Sequence, residues 1–444
     1  MKKIITITSL IIASAELFGS NVSATGNGTA TNDREYKAGE QDTITRDGAI
    51  MKHYKPNPQD APARHFDKFV LNTGTYTGTQ FLINETRTTE TGTNYVAFNG
   101  ATFKSSAENG NQYKITVGAT DEAKKVGIFR DGFTVDNVTV DFNLAGKSVL
   151  VDNLGGAQTP SITVKNNGVL NYRGASSTPD LYLKLNIENG SVMNAYFDYN
   201  SDVIRLKDSN ISGIYKSGRT QRSDIYWYGA NTISNQKAGD DAMYVNGRFS
   251  LEEGSSSNSL TISNSEVNSI ICTATKQFIM RGTSTLTLNS KNAMGYKLED
   301  GTIGGQDNII LQIGAGSKAI LNLGADNSFD YVMIDSDKDS TLNVTLAGNK
   351  FSLNSISDDL IGTILIKDFA ENLFNIASMA GKFYDAQTGL LTNIKWGDNK
   401  DTAKNLYWDK DTGFVTAIAI PEPSTYAVIV GALALGFVAY RRRK

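Results

Sequence analysis

Residues 284–290 read STLTLNS, and residues 340–348 read STLNVTLAG. Around them stand SLTIS (259–263), NIILQIG (308–314), KAILNLG (318–324) and GTILIKDF (362–369). Each is a short run of β-branched and aliphatic residues closed by Gly, Asn, Asp or Ser, the mark of a strand that ends in a turn. Expected strand starts lie near Ser259, Val267, Gln277, Thr285, Met294, Ile309, Lys318, Tyr331, Thr341, Phe351 and Ile361. Most are eight to ten residues apart, so three steps make a coil of about 25 to 30 residues. This predicts an all-β chain whose body is a parallel β-solenoid, each rung burying its inward residues on the next.

Antiparallel hairpins are the competing architecture, and they favour Asn-Gly and Asp-Gly turns. Such pairs occur at Asn99-Gly100, Asn167-Gly168, Asn189-Gly190 and Asp300-Gly301. The stretch SITVKNNGVLNY (161–172) reads as a hairpin. From 255 to 366 these turns are nearly absent, and there the solenoid reading is strongest.

The body is expected over residues 66–366. Residues 25–65 are polar and poor in apolar side chains, and read as an irregular arm. Residues 367–387, KDFAENLFNIASMAGKFYDAQ, are the most helix-like stretch. Two or three strands carrying Trp396 and Trp408 follow, and 367–420 together read as a C-terminal cap over the open end of the stack.

The two ends decide where the body works. Lys2 and Lys3, the apolar run Ile4 to Phe18 and the small residues Val22-Ser23-Ala24 have the three parts of a secretory signal peptide. Cleavage is expected after Ala24, so the signal is 1–24. At the other end Thr425 to Tyr440 is free of charge and runs straight into Arg441, Arg442, Arg443 and Lys444. As a helix it is roughly 24 Å long, a short span for a hydrocarbon core of about 30 Å. Lysine and arginine at both ends place the rest of the chain outside the inner membrane.

Pro421-Glu422-Pro423-Ser424 precedes that span, and its two prolines hold the segment extended. PEP-Ser, an apolar span and a basic cluster within residues 421–444 closely resemble the PEP-CTERM sorting signal of Gram-negative bacteria. The resemblance implies recognition of Pro421, Glu422 and Pro423 by an exosortase-type membrane enzyme, loss of the tail, and delivery to the cell surface or extracellular matrix. It covers only that end and is silent about the body. Signal peptidase and an exosortase are thus the implied processing partners, with extracellular polysaccharide as the implied neighbour.

Composition narrows the rest. The chain has 43 Lys+Arg and 46 Asp+Glu; removing both signals leaves 37 and 44, a balance near −7. That opposes nucleic acid as a partner. The single cysteine, Cys272, provides no disulfide framework and reads as a small buried apolar residue. The only histidines, His53 and His65, lie in the polar arm, against a His-type zinc site or a Ser-His-Asp triad. No metal or cofactor is expected.

Four residues are the catalytic candidates. Asp240-Asp241, in KAGDDAMYVNG, resemble the paired aspartates of polygalacturonase-type glycosidases, and paired carboxylates are what glycoside hydrolysis requires. The Gly-His-Gly and Arg-x-Lys segments of that family are missing from the body after residue 241. Arg219 and Arg222, beside Asp224 in KSGRTQRSD, offer the cations a lyase uses. In DSDKDS, Asp335, Asp337 and Asp339 alternate like the start of a Ca²⁺ loop without its glycine and closing glutamate. The balance is against an enzyme. An exported structural or adhesive protein is the expectation, with a β-helix polysaccharide lyase or glycoside hydrolase as the alternative.

Overall fold

The computed structural model describes the backbone of the strands from Glu35 onward. It describes side chains over residues 102–103, 132–142, 159–173, 182–195, 204–217, 224–252, 257–334, 337–358, 360–418, 431–435 and 440–441. These divide into two compact units. One is Met1–Phe249 with Ser269–Thr275, the other Ser250–Asn268 with Lys276–Lys444.

Parallel pairing builds both, and the fold is all-β and solenoid-like. In the first unit one sheet runs through Thr139–Val151, Val169–Ser176, Val192–Phe197 and Ile214–Gly218. A second runs through Gly132–Asp136, Ser161–Lys165 and Tyr182–Ile187 to Asn210–Ile211 and Ala230–Ser234. A third holds Asp202–Lys207 and Ser223–Tyr228. The strand Tyr182–Ile187 belongs to two of them: Tyr182 and Leu183 pair with Arg205 and Leu206, whereas Asn186 and Ile187 pair with Asn210 and Ile211. Inward residues alternate with outward ones, as a pleated strand requires. Phe103, Phe133, Phe142 and Tyr172 meet inside in a chain of ring contacts, 5.9, 5.2 and 6.3 Å apart.

In the second unit one sheet stacks Asn258–Ser263, Thr283–Leu288, Lys318–Leu323, Thr341–Thr345, Thr363–Ile366 and Leu390–Trp396. Leu260, Leu286, Leu321, Val344 and Ile366 fall in one column and are all buried. The facing sheet stacks Gln277–Met280, Ile310–Ile313, Asn327–Ile334, Phe351–Ile356 and Phe374–Ile376. Of the strand starts expected from 255 to 366, all but Val267 and Met294 fall on or near these elements; those two fall near Ile270–Cys272 and on Met294–Lys297.

Coil length departs from expectation. Lys318 pairs with Thr341 and Thr341 with Thr363, coils of 23 and 22 residues. Thr283 pairs with Lys318, a coil of 35. The excess follows Met294–Lys297: Ile303–Gly304 turns back antiparallel on that strand around Asp300-Gly301, and a 3-10 turn, Gln306–Asn308, comes next. The basic repeat is therefore shorter than 25 residues, and insertions lengthen it.

Two local expectations fail. Ser161–Lys165 and Val169–Ser176 do not form a hairpin; they lie in different sheets, each paired in parallel with earlier and later coils. Asn166 and Asn167, at φ of 53° and 62°, turn a corner between sheets instead. Asparagine tolerates that left-handed conformation, and Asn137, Asn235, Asn264, Asn292 and Asn372 adopt it between strands as well. Stacking wins because it pairs each strand along both edges. The helix-like stretch 367–387 is not helical: it holds the strand Phe374–Ile376 and one 3-10 turn, Gly381–Phe383. Phe374 and Ile376 register beneath Phe351 and Leu353, and that burial overrides local helix preference. Leu390–Trp396, Lys404–Trp408 and Val415–Thr416 then make an antiparallel meander.

Within the expected arm, Glu35–Tyr36 and Ala49–Lys52 are strands paired in parallel with Phe66–Leu71 and Gln80–Asn84. Residues 431–435 and 440–441 are helical. Among the described residues no helix is long and apolar enough to cross a membrane. The expected signal peptide with Ala24, and Pro421, Glu422 and Pro423, lie outside the described residues.

Candidate functional site

The corners carry polar chemistry that the strands position. Ser209 Oγ accepts from Leu185 N–H (3.0 Å), and Asn231 Oδ1 accepts from Ser209 N–H (2.9 Å), although both residues are buried. In the second unit Ser317 Oγ accepts from Gly282 N–H (2.9 Å) and Ser340 Oγ from Gly316 N–H (2.8 Å). Each corner hydroxyl thus satisfies a backbone donor of the coil before it, which buried chain requires.

On the outer face of the first unit the strands align Asp141, Asn171, Asn194 and Lys216 in one column. Asn171 Nδ2 donates to Asp141 Oδ1 (2.6 Å) and Asn194 Nδ2 to Asn171 Oδ1 (2.7 Å). Lys216, next in the column, donates through Nζ to Asp240 O. The two amide bonds link three successive coils, and Lys216 turns away to the Asp240 carbonyl. The second unit turns threonine outward: Thr261 registers on Thr287, and Lys318 lies between Thr283 and Thr341. Adjacent hydroxyl-bearing coils are about 4.8 Å apart.

The catalytic candidates do not assemble beside this chemistry. Asp240 and Asp241 sit on the 3-10 turn Gly239–Asp241 and are exposed. Successive side chains on such a turn point about 120° apart, so the two carboxyls diverge rather than flank one bond. Arg219 and Arg222 lie outside the described residues. Asp224, beside them in sequence, is buried and taken by a residue 24 positions later: Arg248 N–H and Nε donate to it at 2.9 and 3.0 Å, and Arg248 Nη2 lies 2.8 Å from Oδ2. That is a structural ion pair across one coil.

Asp339 is likewise engaged, by Lys400 Nζ at 2.7 Å, and this hydrogen bond and charge hold its carboxyl below the usual range. Asp337 caps its own loop by accepting from Asp339 N–H (2.9 Å). Among the described residues no group of three or more His, Cys, Asp or Glu is placed to hold a metal ion. Cys272 is buried, and burial pushes its thiol up to about 12, which makes it a poor nucleophile.

Sequence reading missed the Asp141–Asn194 ladder and the buried corner serines. The available signal was polar residues recurring at coil length, but insertions blur that spacing. Fold and surface together define a solenoid-like all-β protein with polar, hydrogen-bonded outer columns. Comparison with protein families, curated proteins and solved structures found no significant match.

Proposed function

We propose that this chain is an exported protein of the cell surface or extracellular matrix, structural or adhesive in role, and sorted by an exosortase-type system. The observation that carries the reading is the order Pro421-Glu422-Pro423-Ser424, Thr425 to Tyr440, then Arg441 to Lys444, matched by a leader that begins with Lys2 and Lys3. The leader takes the chain through the inner membrane to cleavage after Ala24. The apolar tail then holds it as a transient transmembrane helix while the PEP segment is read and cut.

Outward columns of Ser, Thr, Asn and Lys support an adhesive body, because they present repeated donors and acceptors at strand spacing. Divergent Asp240 and Asp241 weigh against a polysaccharide-degrading enzyme. The test is the intact mass of the protein from the inner-membrane, surface and medium fractions of its own host. Chains ending near 421–424 outside the inner membrane are expected, with any surplus mass marking a covalent attachment. Full-length chains confined to the inner membrane would overturn the reading.

A further inference from the structure

One surface of the first unit is unlike the hydroxyl- and amide-rich columns. The outward positions of Tyr182–Ile187, Asp202–Lys207 and Ser223–Tyr228 bring together Tyr182, Arg205, Lys207, Tyr226 and Tyr228. Tyr182 registers on Arg205 and Arg205 on Tyr226, while Lys207 registers on Tyr228. The rings of Tyr182 and Tyr228 meet edge to face, with centroids 4.8 Å apart. Lys207 Nζ lies 5.6 Å from the centroid of Tyr182, and Arg205 Cζ lies 5.8 Å from that of Tyr226. Tyr182 is 39% exposed, and the other four are half-buried.

Charge makes this patch more than packing. Among the described residues neither Arg205 nor Lys207 meets a carboxylate; their contacts are with rings. Arg205 Nη1 is buried and has no hydrogen-bond partner among the described residues, so an anion would reach the guanidinium through its other nitrogens. Of the described acids nearby, Asp224 is paired with Arg248, and Asp208 accepts from Ala230 N–H (2.9 Å). Among the described residues, then, these two cations pair with rings and not with acids, on a body whose overall balance is acidic. Aromatic faces hold a cation in place but do not neutralise it, so both groups keep the charge that attracts an anion.

We propose that this surface binds a carboxylated polysaccharide, with sugar rings lying on the tyrosines and uronate carboxylates paired to Arg205 and Lys207. This rests on the extracellular-matrix reading and names the partner. The choice of anion follows from charge density. Nucleic acid carries a phosphate every few ångströms and is repelled by the acidic body. A glycan with one carboxylate per sugar has the lower charge density that two isolated cations can match.

The test is calorimetric titration of the full chain in detergent with polygalacturonate, dextran and (dT)20. Polygalacturonate alone is expected to bind, more weakly as salt rises. Arg205→Gln with Lys207→Gln should weaken that binding by about tenfold or more, and Tyr182→Ala, at an exposed position, should weaken it with the circular dichroism spectrum unchanged. Equal binding of dextran, equal or tighter binding of (dT)20, or wild-type affinity in the Gln variants would each overturn the site. None of these outcomes bears on the fractionation result, so failure of the site and failure of the matrix reading are separable.

Discussion

Phe351 lies face to face with Phe374, one coil later, with ring centroids 5.3 Å apart and planes 14° from parallel. Phe329 closes on Phe351 from the other side at 6.3 Å, and all three are fully buried. The stack ties three coils together through one column, and the middle ring has two partners. Phe351→Ala should cost about 3–5 kcal/mol, more than Phe374→Leu, as read by denaturant unfolding. Equal losses would mean the column carries no special share of the packing.

Gly132 tests the corner of the first unit. Its φ is +98°, and a Cβ there would stand 1.7 Å from Ser161 O, on the strand it pairs with. Gly132→Ala must separate Gly132–Asp136 from Ser161–Lys165, at an expected cost of about 2 kcal/mol or more. A neutral result would show that the two strands pair in another register.

Asn171 accepts from Asn194 and donates to Asp141, so removing it breaks two bonds in one ladder. Asn171→Ala is expected to lower stability by about 1–2 kcal/mol. A double-mutant cycle with Asn194→Ala should show coupling; strict additivity would mean the ladder is not a unit.

Cys272 gives a pH prediction. Its thiol titrates near 12, so at pH 8 the folded protein holds almost no thiolate. Iodoacetamide labelling should be slow in buffer and fast in denaturant. Asp339 gives a second, with the sign reversed. Lys400 lowers its carboxyl, so the pair's contribution is present above the unfolded-state value and is lost as pH falls through the lower folded value. In an NMR titration Lys400→Ala should move Asp339 upward, and an unmoved Asp339 would rule out the pair in solution.

For the acids at 240 and 241, exposure predicts indifference. Asp240→Ala and Asp241→Ala should each stay within about 0.5 kcal/mol of the parent. Incubation of the parent with acidic and neutral polysaccharides should release neither reducing ends nor unsaturated uronates. Release that Asp240→Ala abolishes would restore the enzyme reading.

Much of this was legible in the chain. Runs such as STLTLNS and KAILNLG commit to strands because alternating Leu and Thr fit a surface buried on one side only, and their spacing implied coils. The export reading of the two ends comes from charge and hydropathy alone and belongs to the proposed function. By contrast, KNNG at 165–168 suits a hairpin and a corner equally well, since both need left-handed backbone. Only the neighbouring coils, with Ile162 on Phe133 and Leu170 on Val140, decide between them. The stretch 367–387 has helical periodicity over a few residues, and packing of Phe374 against Phe351 outweighs it.

What the sequence by itself determined is the β class and the stacking of short strands into coils, because both rest on local patterning and composition. What only the tertiary structure decided is which distant residues share a surface. Asp224 finds Arg248, Asp339 finds Lys400, and Arg205 and Lys207 lie against tyrosine rings. The reason is the variable coil: lengths from 21 to 36 residues set which side chains become neighbours, and no fixed period in the chain records them.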